Sequence, residues 1–311
     1  MLIRRLQFVI RNRISFWHET YAAIRVNLNP RNSGQILLFS FEILRRISWN
    51  FFCQVIIALL TDFGTRDYFV AAMKGAILSV NAQAIIVDLT HEIPPQDIET
   101  ASFTLRACYK DFPAKTIFVT VIDPGVGSNR RAILVKTDSY FFAAPDNGLL
   151  SFIFDEEKDF SVFELTSKKF FNQNISRTFH GRDIFAPVAA HLSKGVEIDK
   201  LGREITDFVC FKTDKPRKIS KIETEGEIIH TDNFGNIITN LTTSDLPESF
   251  VIEINDVIIK EYLEFFAQAE KGQLFMILGS AGFLEIAAFK DSAKSILNVK
   301  TGAKLLLKEV K

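Results

Sequence analysis

From residue 55 onward, apolar residues come in short bursts whose spacing switches between two periods. Residues 55–60 form an unbroken apolar run that ends in Thr61-Asp62-Phe63-Gly64. A run this short, closed by turn residues, predicts a buried strand. Val70, Met73, Ile77 and Val80 then recur at helical spacing, with Asp67 expected as the N-cap. Residues 84–87 predict a second strand, closing at Asp88. Pro94-Pro95 delay the next helix until Asp97, which is placed to cap a face of Ile98, Ala101, Leu105 and Cys108. Residues 116–122, TIFVTVI, predict the third strand. Strand, helix, strand, helix, strand within about 70 residues argues for right-handed βαβ units and a mostly parallel sheet.

Further strands are expected at 132–137 and 140–144, followed by the turn Pro145-Asp146-Asn147-Gly148. Asp183 is expected to cap a helix with Ile184, Val188 and Leu192 on one face, stopping near Gly195. Residues 212–221 are charged, contain Pro216 and read as a linker. The rhythm then changes to short strands at 226–230, 235–240, 251–254, 275–278, 283–287 and 304–307. The expected organisation is an α/β domain with a mostly parallel sheet over 55–215 and a smaller all-β domain over 222–311.

Composition changes this picture only at the N-terminus. The chain has 311 residues, 47% hydrophobic and 24% charged, with zero formal net charge. A chain without a global field is not expected to seek nucleic acid or an anionic membrane. Cys53, Cys108 and Cys210 are isolated, so neither a disulfide framework nor a zinc site is suggested, and a cytoplasmic location is the simple expectation. Residues 1–54 differ, with eight arginines against two glutamates. Their longest apolar stretch, 36–41, is too short and broken to span a membrane. No apolar region with a small-residue cleavage site follows the basic start. The segment reads either as a basic interfacial segment that touches a membrane or, more plainly, as a non-native or mis-started extension ahead of the domain that starts near Val55.

Five polar clusters sit at predicted element ends: TDFGTRD at 61–67, VDLTHEIPP at 87–95, DPGVGSNRR at 123–131, FHGRD at 179–183 and DNFGN at 232–236. Singly, each could be a turn, since Asp bonds nearby backbone and Gly accepts positive φ. His91 reads as structural. Jointly they say more. Asp62, Asp88 and Asp123 all end predicted strands, and ligands of open α/β sheets bind beyond the carboxyl ends of the strands. Gathered carboxylates call for something cationic or rich in hydroxyls: a metal ion, a positively charged substrate or a ribose. There is no P-loop and no GxGxxG, which leaves phosphate cradling unsupported. Magnesium or manganese in a phosphoesterase would suit carboxylates, but no HxH or HExxH pair accompanies them.

The ordered set TDFG, DYFVAAMKG, VDLTHEIPPQDI, DPGVGSNRR, APDNGLL, FHGRDIFAPVAAHL and NFGNIITN resembles the S-adenosyl-L-methionine (SAM) hydroxide adenosyltransferase family, relatives of the fluorinases and chlorinases. The likeness runs from about residue 55 to the C-terminus. It implies an α/β domain followed by a β-barrel-like one, and hydrolysis of SAM to adenosine and methionine without metal or cofactor. It further implies a homotrimer with active sites between subunits. The family's catalytic trio falls on Asp123, Arg130 and His180. Substrate-contacting positions fall on Asp62, Phe179, Asn236 and Ser280, with Phe234, Asp67, Asp232 and Glu285 as further contacts. Gln96 stands where relatives commonly carry an aromatic. A halogenase using the same substrate and a non-catalytic SAM- or adenosine-binding protein are the alternatives. A carboxylate at Asp123, where the fluorinase branch has an uncharged aromatic, argues for water over halide.

Overall fold

Residues 55–212 and 215–310 are described in the computed structural model. The expectations for residues 1–54 lie outside them. A seven-stranded sheet carries the first layer. β1 (Ile56–Thr61), β2 (Ile85–Thr90), β3 (Ile117–Val121), β4 (Ala132–Thr137) and β5 (Phe141–Pro145) are joined by β6 (Phe160–Leu165) and β7 (Gly202–Ile205). The order is β2-β1-β3-β5-β4-β6-β7. The pairs β2-β1, β1-β3 and β3-β5 are parallel, and the strands beyond β5 run antiparallel.

The side-chain alternation of the central strands builds two cores. Ile57, Leu59, Ile117, Val119 and Val121 pack with Met73 and Ile77 of α1 (Phe69–Val80) and with Val188 and Ala189 of α4 (Ala186–Ser193). Ala58, Leu60 and Phe118 point the other way, against Ala101 and Leu105 of α2 (Ile98–Cys108) and Phe152 and Ile153 of α3 (Ser151–Glu156). Helices on both faces explain why β3 is buried at every position. Asp97 caps α2 as expected, accepting from Thr100 N at 2.9 Å.

The second layer is antiparallel and barrel-like. It contains β8 (Arg217–Lys218), β9 (Glu223–Thr231), β10 (Ile237–Thr242), β11 (Phe250–Ile254), β12 (Val257–Ile259), β13 (Leu274–Leu278), β14 (Phe283–Ala288) and β15 (Lys304–Glu309), with a short α5 (Ala293–Leu297) before β15. Its core is Ile228, Ile237, Leu241, Ile252, Met276, Leu284, Ile286 and Leu305. Aromatic stacking joins it to α2: Phe103 lies 4.5 Å from the His230 ring, and the Arg106 guanidinium sits 4.7 Å over Phe283.

Three local expectations are corrected. Asp67 does not cap α1; Tyr68 occupies that place without a side-chain bond, and Asp67 is exposed. Asp183 is not a cap but a fully buried residue inside a π-helical turn, Gly181–Phe185. Asp88 does not end a strand. It lies within β2 opposite Leu59, and Lys74 Nζ bonds it at 2.6 Å. Asp88 and Asp183 are taken by cations, one from another element and one from the neighbouring residue, whereas Asp67 is left exposed. The linker at 212–221 also holds strand β8, which pairs with β9.

Candidate active site

β1 and β3 are neighbours and parallel, so the residues after their carboxyl ends share one edge of the sheet. Asp62 follows β1 and Asp123 follows β3. Both line a cavity of about 420 Å³ together with Phe63, Phe69, Gln96, Val126, Phe179 and His180. Of the three carboxylates expected at this edge, Asp88 is absent from the lining. The acidic edge is therefore two groups rather than three.

The loop after Asp123 folds back on itself. Val126 N donates to Asp123 O at 3.2 Å, Ser128 N and Oγ both donate to Gly125 O, and Arg130 N donates to Ser128 Oγ at 3.2 Å. This returns Arg130 to Asp123. Its Nε donates to Asp123 Oδ1 at 2.8 Å and its Nη2 donates to Asp123 Oδ2. The same Nη2 meets His180 Nδ1 at 2.9 Å. The pair is nearly dry, with Arg130 and Asp123 side chains 10% and 6% exposed, and the guanidinium rests 5.4 Å over the Phe185 ring. Arg131 points away, to Asp146 at 2.9 Å and Asp207 at 2.7 Å, and anchors the far end of the loop.

Gly127 is essential to this turn. Its φ is +78°, and a Cβ there would sit 2.2 Å from the carbonyl oxygen of Arg177. Backbone cannot retreat as a side-chain tip can. Gly127→Ala is expected to lower stability by more than about 1 kcal/mol, since Ala where φ is positive is strained before any clash is counted. Thermal unfolding measures this, and an unchanged midpoint would show that the loop yields freely.

His180 precedes the π turn. Asp183 inside that turn accepts from Arg182 Nε at 2.7 Å, Ser176 N at 2.8 Å and Asn172 Nδ2 at 3.1 Å. Burial opposes its ionisation, but these donors outweigh it and hold Asp183 below the usual carboxylate range. The segment that carries Thr178, Phe179 and His180 is thereby pinned. Phe179 meets Phe69 and Phe63 edge-on at 5.2 and 5.8 Å, forming an aromatic wall. Burial, and then the Arg130 cation, push the His180 pKa below its ordinary value. Because guanidinium can only donate, Nδ1 of His180 accepts, and the neutral ring carries its proton on Nε2.

Asp62, Asp123, Phe179 and His180 thus meet at one cavity, with Arg130 bonded behind them. The other expected contacts do not reach it. Asp67 is exposed outside it. Asp232, Phe234, Asn236, Ser280 and Glu285 lie on the barrel layer, and none lines the cavity. Asp232 orders its own hairpin, accepting from Phe234 N, Asn236 N and Asn236 Nδ2. Phe234 is 78% exposed. Burial, with the nearby Asp232 charge, raises the Glu285 pKa. Sequence reasoning missed Phe63, Phe69 and Val126 as lining residues. All three stood inside the motifs TDFG, DYFVAAMKG and DPGVGSNRR, so closeness in sequence to Asp62 and Asp123 was the available signal for Phe63 and Val126, and the start of α1 for Phe69. Among the described residues, no group of three or more His, Cys, Asp or Glu side chains is placed to hold a metal ion.

An α/β sheet with a cavity at its edge, followed by an antiparallel barrel-like sheet, is the architecture that comparison places in a known class. Residues 57–202 match the SAM hydroxide adenosyltransferase N-terminal domain, and residues 226–306 match the C-terminal domain. The chain belongs to the SAM hydroxide adenosyltransferase family. It is 36% identical over 263 residues to the (R)-S-adenosyl-L-methionine hydrolase of Methanocaldococcus jannaschii, covering 78% of this chain and 92% of that protein. It is 32% identical to the protein of that name from Thermus thermophilus, over 78% and 95% of the two chains. A fluorinase of Nocardia brasiliensis is 29% identical over 81% and 96%. The fold superposes on an uncharacterized conserved protein from Thermotoga maritima with a TM-score of 0.77 at 35% identity, covering 81% of this chain and all of that one.

Proposed function

We propose that this protein hydrolyses S-adenosyl-L-methionine to adenosine and L-methionine. The observation that carries the reading is the dry Asp123–Arg130–His180 constellation at a nucleoside-sized cavity, in a chain whose hydrolase relatives reach 36% identity. Water attacks the ribose 5′ carbon in line with the sulfonium. The C5′–O bond forms as the C5′–S bond breaks, the bonding pair leaves with sulfur as a neutral thioether, and one proton is released. Such a leaving group needs no acid and no metal, so no cofactor is required; the difficulty lies in water as nucleophile. Each oxygen of Asp123 spends one lone pair on Arg130 and keeps another for water. Asp123 is the proton acceptor, His180 Nε2–H orients the water oxygen, and Arg130 favours the hydroxide-like form. Asp62 receives the ribose hydroxyls and the Phe63–Phe69–Phe179 wall the adenosine.

The protein works as a homotrimer with its sites between subunits. The five barrel residues named above supply the remaining contacts to a neighbour's cavity, which their absence from this chain's own cavity supports. The catalytic domain is 55–215 and the barrel domain 222–311. The setting is cytoplasmic, in keeping with free thiols at Cys108 and Cys210. No helix among the described residues is long and apolar enough to cross a membrane.

Incubating the protein with SAM and resolving the products by chromatography tests the reading. Adenosine and methionine in equal amounts, unaffected by a chelator, are expected. A main product of 5′-chloro-5′-deoxyadenosine in chloride would instead make it a halogenase, and binding without turnover would make it a sensor. The pH profile follows from His180. Burial and the Arg130 cation hold its pKa below the ordinary histidine value, which favours the neutral ring. kcat/KM should hold steady from pH 8 to about 6.5 and fall on acidification below that. Folding stability falls in the same direction, because the unfolded chain takes up the proton first. His180→Gln should remove this acid limb. A limb that survives the substitution belongs to another group.

A further inference from the structure

His91 lies outside the reactive trio, yet it is 4% exposed and joined to the substrate side of the cavity through one intervening residue. Lys74 Nζ donates to Asp88 Oδ2 at 2.6 Å, and Asp88 Oδ1 lies 3.2 Å from His91 Nε2. His91 Nδ1 lies 2.8 Å from Thr61 Oγ1, which in turn accepts from Phe63 N at 3.3 Å. Burial opposes ionisation of Asp88, but Lys74 and His91 outweigh it and keep the carboxyl below its ordinary pKa. A carboxylate facing Nε2 sets the proton on that nitrogen, so Nδ1 accepts from the Thr61 hydroxyl. The hydroxyl oxygen then has its lone pairs free for the Phe63 amide. Phe63 N–H donates to Thr61 and the Thr61 hydroxyl to His91 Nδ1, while His91 Nε2 faces Asp88 at ion-pair distance without a hydrogen bond and has no other partner among the described residues.

The backbone adds to the same joint. Gly64 N donates to His91 O at 2.7 Å, and Gln96 N, held at φ +66°, donates to Asp62 Oδ2 at 2.8 Å. Thr65 Oγ1 donates to Glu92 Oε1 at 3.0 Å. The loop after β1 is therefore fastened to the loop after β2 on both sides of Asp62 and Phe63, the two residues it contributes to the cavity. His91 and Thr61 are the buried side chains named in that joint, and His91 is not among the residues that line the cavity.

We propose that His91, held by Asp88 and Lys74, is a positioning residue that acts through Thr61 to fix Asp62 and Phe63 for the nucleoside part of the substrate. The inference rests on the reading that this cavity takes adenosine. It predicts a division of effects. A group that sets the ribose and adenine contacts alters binding, whereas Asp123, Arg130 and His180 alter the chemical step.

The test compares His91→Phe, His91→Asn and Thr61→Val with the wild-type protein. Asn can present an acceptor where Nδ1 stood; Phe cannot. His91→Phe and Thr61→Val should each raise KM for SAM about tenfold or more with kcat little changed, and the double variant should be no worse than either single one, because both cut the same link. His91→Asn should restore most of the loss. Calorimetric titration with adenosine and with 2′-deoxyadenosine gives a second readout. Wild type should prefer adenosine, and His91→Phe should lose that preference. A fall in kcat at constant KM, no rescue by Asn, additive losses in the double variant or an intact preference for the 2′-hydroxyl would each overturn the proposal. Should the wild type bind adenosine without hydrolysing SAM, the hydrolase reading fails and the titrations alone decide His91. Should it bind no adenosine, both fail.

Discussion

Asp123→Asn is expected to cut turnover of SAM by about 10³-fold while adenosine still binds, within the range of about 10² to 10⁴ that a positioned acid–base group contributes. Asn keeps the shape and one oxygen acceptor. It cannot take a proton from water, and it removes the charge that faces Arg130. The guanidinium would then stand one-tenth exposed without its anion, since its remaining partners are His180 Nδ1, the Arg131 carbonyl and the Phe185 ring face. Breaking a buried ion pair on one side costs about 3–5 kcal/mol, and the retained amide contact should bring the loss to the lower end. Three measurements separate these effects: adenosine formation at saturating SAM, adenosine affinity by calorimetry, and the thermal midpoint. Near-normal turnover would remove Asp123 from the chemistry. Lost turnover with lost adenosine binding would show that the variant has disordered the cavity instead. Arg131→Gln is the natural control, because Arg131 holds the same loop from the side facing Asp146 and Asp207. It should lower stability more than turnover.

Two inactive variants should restore activity when combined. In the single chain, Asp123 faces the cavity, whereas Asp232 and Asn236 sit on the β9–β10 hairpin of the barrel and do not line it. If one copy's barrel completes another's cavity, Asp123→Asn and Asn236→Ala each ruin every site of their own homo-oligomer. Mixed assemblies then contain sites with one intact half from each parent. Random mixing in equal amounts gives about one quarter intact sites, so about a quarter of wild-type activity should return after the subunits are dissociated and reassembled. Separate purified variants mixed without exchange should remain inactive. Absence of recovery after verified exchange would place each site within one chain. Asn236 suits this test because its side chain bonds Asp232 and nothing of the catalytic layer. Sedimentation of the wild type gives the copy number directly.

The βαβ rhythm of the first layer was legible because β1 and β3 are apolar runs closed by Asp, and because Pro94-Pro95 and Asp97 mark where α2 starts. The strands of the barrel were legible from period-two segments between turns. What local pattern missed were α3, β6, β7, β12 and α5, which are short and flanked by charged residues, so neither length nor periodicity raises them above turns. Asp97 behaved as a cap because its partner, Thr100 N, lies three residues away. Asp67 and Asp183 were expected to cap in the same way, and Asp88 to close its strand. Asp67 is left exposed, Asp88 bonds Lys74 from another element, and Asp183 closes on Arg182, Ser176 and Asn172.

The candidate site divides along the same line. Sequence by itself determined the alternating architecture, the loops that gather at the sheet edge and, through their ordered motifs, the family. Only the tertiary structure decided that Asp88 leaves the acidic edge, that His180 accepts from Arg130, that His91 is tied to Thr61 and that the barrel residues stand apart from the cavity. Periodicity and turn chemistry act over a few residues and are written into the chain locally. The partner of a buried charge or imidazole is chosen by strand order and helix packing, which bring together residues 30 to 50 positions apart, as in Thr61 with His91 and Arg130 with His180.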